Sequence, residues 1–201
     1  MKSNEVSKFF SLFILFLAFV AFVYGTVKAI QIVNQTQIST NDGIYTSYVT
    51  TSNKIEQKAK WLTIKCKSDD CKVQALLNYV TNIPYNTNTF QQKSPQKTIQ
   101  ENYGDCDDKS NLLISMLHTV GIEAYFVLVP KHIFVIVPLS DETLSHKKGL
   151  WVNDVKYYIL ESTAKDSRIG FPLHYSLDEI DTIIEPFANK KISIESLKYK
   201  L

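Results

Sequence analysis

Three residues of this chain have the side-chain types needed for acyl transfer through sulfur: Cys106, His132 and Glu161. A thiolate attacks an acyl carbon. An imidazole takes the thiol proton and passes it to the leaving group, and a carboxylate holds that imidazole in one tautomer. Cys106 lies in the stretch Gly104-Asp105-Cys106-Asp107-Asp108-Lys109. Asp105 is a good N-cap, and Leu112, Leu113, Met116, Leu117 and Val120 then recur on one stripe until Gly121. That spacing predicts a buried helix from Cys106 to Val120 with the thiol in its first turn. The positive end of the helix dipole there favours the thiolate. Asp105, Asp107 and Asp108 oppose it, because the helix end supplies only about half a positive charge. Unless the carboxylates are paired or turned away, a cation must compensate, and a protonated histidine is the usual one.

The elements around the stretch place the other two residues. Ile122 to Val129 and Ile133 to Val137 are rich in Val, Ile, Phe and Tyr and read as strands. Pro130-Lys131-His132 joins them as a hairpin, so His132 opens the second strand. Val155 to Leu160 reads as a third strand, with Glu161 at its end. Upstream, Lys54 to Lys65 reads as a helix with Ile55, Ala59, Leu62 and Trp61 on its buried side, and Asp70 to Thr81 as a second, capped by Ser68 or Asp69. Cys66 and Cys71 flank the turn between them. A disulfide suits an exported domain, while free thiols or a metal remain open, although no histidine is near. Ser94-Pro95 opens a short helix to Asn102. Ser140 to Gly149 reads as a charged loop, Ser176 to Ile180 as a short helix, and the rest to Leu201 as a mixed tail. Helices followed by an antiparallel sheet make an α+β domain with the helices on one side of the sheet.

These residues carry a resemblance. GDCDDKSNLLISMLHTVGIEAYFVLV, then HIFVIV, then YYILESTAKDSRIG resemble the transglutaminase-like superfamily. Its bacterial and archaeal members have a Gly-Asp-Cys-(Asp/Glu)-Asp box on a helix, a Gly-Ile-x-Ala turn, a strand opening with His and a strand ending Leu-Asp-x-Thr. The likeness covers Thr98 to Gly170, with a weaker match at Asn78 to Tyr85. It implies a papain/transglutaminase-like core, with Cys106 as nucleophile, His132 as base and Glu161 as the orienting acid. It departs from the family in having Glu161 where Asp is commoner, and in the short separation of Cys106 from His132. The family holds peptidases, amidases, transglutaminases and inactive members.

Other residues could fill the same roles. His118 is more than three turns along the cysteine helix, roughly 18 Å away, which excludes it. His146 and His174 are the spare histidines, and Asp154 and Asp166 the spare acids. Gln100, Asn102 and Tyr103 are near enough in sequence to supply a second oxyanion donor. Asp105, Asp107 and Asp108 lack the spacing of a calcium loop, and no metal or cofactor is expected.

The whole chain has 201 residues, 45% of them hydrophobic, and a net charge of +2. Scattered basic residues and so small a charge argue against nucleic acid as partner. Six glycines and six prolines exclude collagen-like and linker-like composition. Phe9 to Val27 is charge-free and about as long as a bilayer core. It exceeds the ~7–15 residues of a typical signal-peptide core and lacks a clear cleavage site, so an uncleaved anchor is expected. Lys2 and Lys8 before it, against Lys28 after it, place the N-terminus in the cytoplasm and the rest outside. The expected organisation is a short tail over 1–8, a transmembrane anchor over 9–27, a polar spacer over 28–53 and the catalytic domain over 54–201. Alternation in Ile44 to Val49 suggests a strand within the spacer. The resulting expectation is a single-pass, membrane-anchored thiol enzyme acting on a peptide or isopeptide amide. Hydrolysis is favoured over cross-linking because nothing marks a pocket for an amine acceptor. The alternative is a catalytically silent interaction domain on a membrane stalk. A redox pair of Cys66 and Cys71 is disfavoured by their C-x4-C spacing.

Overall fold

The structure, a computed structural model, describes residues 2–40, 43–87 and 92–201, with backbone alone for 2–7, 31–40, 43, 44 and 46. The first helix, α1 (Lys2–Thr36), contains the stretch expected to act as an anchor. Its stretch Lys8–Ile30, 23 residues, is long and apolar enough to cross a membrane. The helix runs on past Val27 into the expected spacer. Once a helix is nucleated each added residue gains a hydrogen bond without a new nucleation cost, and Lys28 to Gln35 contains no glycine or proline to stop it.

Next come β1 (Gln37–Thr40) and β2 (Gly43–Thr46), an antiparallel pair. The strand expected over Ile44 to Val49 is therefore shorter and begins earlier. Residues expected in the spacer pack on the domain. Tyr45 is 6% exposed and meets the Phe126 ring edge-on, centroids 5.5 Å apart. Tyr48 N–H donates to Asn111 Oδ1 at 3.0 Å and Thr50 N–H to Ser115 Oγ at 3.2 Å.

Three helices follow close to their expected bounds: α2 (Asn53–Thr63), α3 (Asp69–Thr81) and α4 (Pro95–Glu101). Ser52 caps α2 by accepting the Ile55 N–H, and Ser94 caps α4 with Pro95 in the first helical turn. Ile55 and Ala59 are buried, but Trp61 is exposed. It lies one position off the Ile55–Ala59 stripe, and its ring takes the Lys58 ammonium at 5.2 Å instead. Cys66 and Cys71 are joined by a disulfide between α2 and α3. Helix α5 (Cys106–Thr119) is the central helix, buried on almost every face. Gly121, at φ +79°, ends it in the left-handed conformation that glycine adopts without cost.

The sheet is antiparallel, in the order β8-β7-β3-β4-β6-β5-β9. Its members are β3 (Tyr125–Val129), β4 (His132–Val137), β5 (Gly149–Val152), β6 (Val155–Leu160), β7 (Thr182–Glu185), β8 (Lys190–Lys191) and β9 (Leu197–Lys200). The expected hairpin is β3–β4, turning at Pro130-Lys131 with Val129 opposite His132. Side chains alternate between two layers, as the pleat requires. Phe126, Leu128, Ile133, Val135 and Leu160 face the helices. Val127, Phe134, Ile136 and Ile159 face the other way and are covered by Phe171, Leu173, Tyr175 and Leu177. The fold is thus α+β, as expected, with helices on one side. The C-terminal tail is more ordered than its composition suggests: β7 pairs with β3 and β9 with β5. The expected helix at Ser176 to Ile180 is a single 3-10 turn, Leu177–Glu179.

Candidate active site

Cys106 is the first residue of α5, and its position depends on a tight approach. A Cβ on Gly104 would come within 2.8 Å of Asp108 Cβ, so the box needs glycine there. Two of the three acidic side chains are spent on backbone. Asp105 Oδ1 accepts the Asp108 N–H at 3.1 Å as N-cap, and buried Asp108 accepts the Lys93 N–H at 2.6 Å. Asp107 stays at the sulfur. Its Oδ2 accepts from Gln92 Nε2 at 2.8 Å, and its Oδ1 accepts from Cys106 Sγ at 3.8 Å.

The consequence is electrostatic. Burial, followed by the charges of Asp107 and Asp105, pushes the Cys106 thiol up to about 12. The backbone N–H groups of Asp107 and Ile133 work the other way but do not prevail. Burial and Asp105 likewise raise Asp107, against the hydrogen bond from Gln92. Desolvation and the adjacent carboxylate therefore disfavour the thiolate that the sequence led one to expect.

His132 begins β4 and Glu161 follows β6, at the same end of the sheet. His132 Nε2 and Glu161 Oε2 are 2.8 Å apart. The other oxygen of Glu161 accepts from Thr163 N–H at 2.9 Å and from Thr163 Oγ1 at 2.5 Å. Burial works to raise Glu161, but hydrogen bonds from His132 and Thr163 outweigh it and hold the carboxyl below its ordinary value. An ionised carboxylate only accepts, so Nε2 carries a proton, and in the neutral ring the lone pair is on Nδ1. Tyr175 lies over the imidazole, ring centroids 6.1 Å apart.

Cys106, Asp107, His132, Gln92 and Tyr45 line one cavity of about 350 Å³. The spare residues lie elsewhere. His118 is exposed and stacks on Phe187 at 3.9 Å, and His146 and His174 are exposed. Asp154 and Asp166 sit in exposed turns at positive φ. Gln100 and Asn102 are exposed, and Tyr103 packs on Lys93, so none of the three lines the cavity. Sequence reasoning missed Gln92 and Tyr45. Neither lies in a motif, and each reaches the cavity only through tertiary packing. Among the described residues no cluster of three His, Cys, Asp or Glu side chains could hold a metal.

An antiparallel sheet with a thiol-bearing helix on one face, and a histidine–carboxylate pair at its end, defines a class of fold also reached by comparison. Residues 56–154 match the model of the transglutaminase-like superfamily, and over that span the chain is transglutaminase-like. The matched span includes Cys106 and His132 but stops before Glu161 and begins after Tyr45. Among solved structures, a candidate protease from Parabacteroides distasonis shares 16% identity over 71% of this chain and 27% of its own, with a TM-score of 0.45. A candidate cysteine protease from Cytophaga hutchinsonii shares 17% over 77% and 52%, TM-score 0.45. LapG of Legionella pneumophila shares 14% over 66% and 82%, TM-score 0.44. The chain thus spans about a quarter and about half the length of the first two. Likeness at this level says nothing of chemistry. A search of curated proteins finds no match to the sequence.

Proposed function

We propose that this chain is a membrane-anchored thiol hydrolase that cleaves peptide or isopeptide amides through an acyl-enzyme on Cys106. The observation that carries the reading is a cavity lined by both the free thiol of Cys106 and His132, the latter 2.8 Å from Glu161 behind it. Glu161 holds Nε2–H, and Nδ1 is the base. Because the thiol rests protonated, its proton moves to Nδ1 as sulfur attacks the carbonyl carbon. The π pair goes to oxygen, giving a tetrahedral oxyanion. Its collapse breaks the C–N bond, and Nδ1–H protonates the departing amine. Water then repeats the sequence on the thioester and releases the acid. Helix α1 anchors the enzyme, with residues 54–201 as the catalytic part on the extracytoplasmic side.

A second reading, a silent interaction domain, is favoured by one observation: the thiol is hydrogen-bonded to Asp107 and held near 12. Acylation separates the two. Purified protein is mixed with p-nitrophenyl acetate, p-nitrophenol release is followed and Cys106 is mapped by mass spectrometry. The enzyme reading expects an acetyl group on Cys106, absent in Cys106→Ala and at least 100-fold slower in His132→Ala. A wild-type rate no greater than that of the unfolded chain means a silent domain.

A further inference from the structure

The reaction proposed above needs a donor for the oxyanion, and the sequence candidates for it lie outside the cavity. One side chain meets the requirement from an unexpected quarter. Tyr45 stands on β2, in the segment joining the membrane helix to the domain. It is 6% exposed, lines the cavity of Cys106 and His132, and is fixed from behind by Phe126. Among the described residues its Oη finds no hydrogen-bond acceptor. The neighbouring Asn111 amide accepts from Tyr48 N–H at Oδ1 and donates one Nδ2–H to the Asp107 carbonyl; its other N–H is directed at the phenol oxygen, so it meets Tyr45 as a donor. A buried hydroxyl without an acceptor is costly and rarely retained without a reason. Other donors that line the cavity include Gln92, which gives one of its two amide N–H groups to Asp107, and Lys131, exposed in the β3–β4 turn. Burial and the nearby charge of Asp107 keep the phenol protonated, outweighing a hydrogen bond from the Asn111 amide. Its O–H is therefore a donor at any physiological pH.

We infer that Tyr45 Oη donates its hydrogen bond to the oxyanion formed when Cys106 attacks the substrate carbonyl, alongside the Cys106 backbone N–H. The phenol keeps its proton throughout. Negative charge that develops on the carbonyl oxygen stays on that oxygen, stabilised by the O–H dipole, and the pair re-forms the C=O bond when the C–N bond breaks. Tyr45 lies outside the family match, which starts at residue 56. The link to the membrane helix would thus complete a site that the family core leaves open, and the enzyme would work only with that link docked.

This inference rests on the thiol-hydrolase reading, and two reactions on the full chain in detergent separate their failures. Alkylation by iodoacetamide at pH 9 needs the sulfur but forms no oxyanion. Acylation by p-nitrophenyl acetate needs both. Tyr45→Phe keeps the ring against Phe126 and removes only the hydroxyl. The expected result is an alkylation rate within about 2-fold of wild type and an acylation rate 10²–10³-fold lower, the usual cost of one oxyanion donor. Tyr45→Phe acylating at the wild-type rate overturns the role of Tyr45 and leaves the thiol hydrolase intact. Equal loss in both reactions also overturns it, since the tyrosine would then merely position Cys106. Wild type that alkylates but never acylates overturns the hydrolase reading, and this inference with it.

Discussion

Glu161 reaches His132 diagonally across the sheet. The β4–β6 register pairs Val135 with Leu160, Ile136 with Ile159 and Val137 with Tyr158. Continued one step, it sets Glu161 opposite Phe134, two residues from His132 on the same face. Diagonal neighbours in an antiparallel pair lie about 7–8 Å apart, too far for a short side chain. The extra methylene of Glu over the Asp usual in this family spans that gap and yields the 2.8 Å contact.

Glu161→Asp should therefore be worse than its chemistry suggests. The shorter acid falls short of Nε2, so acylation should drop about as far as in Glu161→Gln, by roughly 10²–10⁴. Both should stay above Cys106→Ala, because the thiol and base remain. Full activity in Glu161→Asp would show that the diagonal geometry does not matter.

Cys106 should alkylate slowly at neutral pH and ever faster up to at least pH 10, without the plateau a preformed thiolate gives. The thiol is pushed up to about 12, whereas an unfolded cysteine titrates near 8.5. Between about 8.5 and 12 the unfolded chain has lost a proton that the folded chain keeps, so this group makes stability fall as pH rises through that window. Urea unfolding at pH 7 and pH 10 should show that fall, and Cys106→Ala should lessen it. A plateau in alkylation below pH 8 refutes the neutral resting thiol.

Asp107→Asn removes the charge next to the sulfur while keeping a polar group for Gln92. The thiol should then titrate lower, and each unit of lowering raises the thiolate fraction tenfold at a pH well below the pKa. Iodoacetamide at pH 8 should react about tenfold faster or more. An unchanged rate would mean that burial alone holds the proton on sulfur.

Unfolding the protein without reductant should expose one thiol, Cys106, since Cys66 and Cys71 are bonded. Reducing so small a loop should cost on the order of 2 kcal/mol in the chain-entropy account, read as a lower midpoint in urea. Three reactive thiols before reduction would remove the disulfide.

Protease added to intact cells or spheroplasts should digest the part after α1 if the lysine bias around Phe9 to Val27 orients it as expected. Digestion only after lysis would place the domain in the cytoplasm.

The sequence by itself determined the local elements and the residue types. Asp105 and Gly121 bound a helix with a periodic stripe, Ser94-Pro95 starts another, and the runs at 122–129, 133–137 and 155–160 read as strands, because caps, periodicity and β-branching act between near neighbours; the structure starts the first at Tyr125 and the second at His132. The pairing of His132 with Glu161 was legible from their places at strand ends, and the position of Cys106 at a helix start from its box. Tertiary structure decided the rest. Thr182 to Glu185 and Leu197 to Lys200 are strands only because distant partners, β3 and β5, accept their backbone hydrogen bonds. Gln92 and Tyr45 join the cavity because packing on α5 carries them there. The charge state of Cys106 was also beyond the sequence. Three aspartates beside a thiol can be turned away or left facing it, and only the folded chain sends Asp105 and Asp108 to backbone amides and leaves Asp107 at the sulfur. Burial then sets the sign, because removing water penalises the charged form of a group whichever residues surround it in sequence.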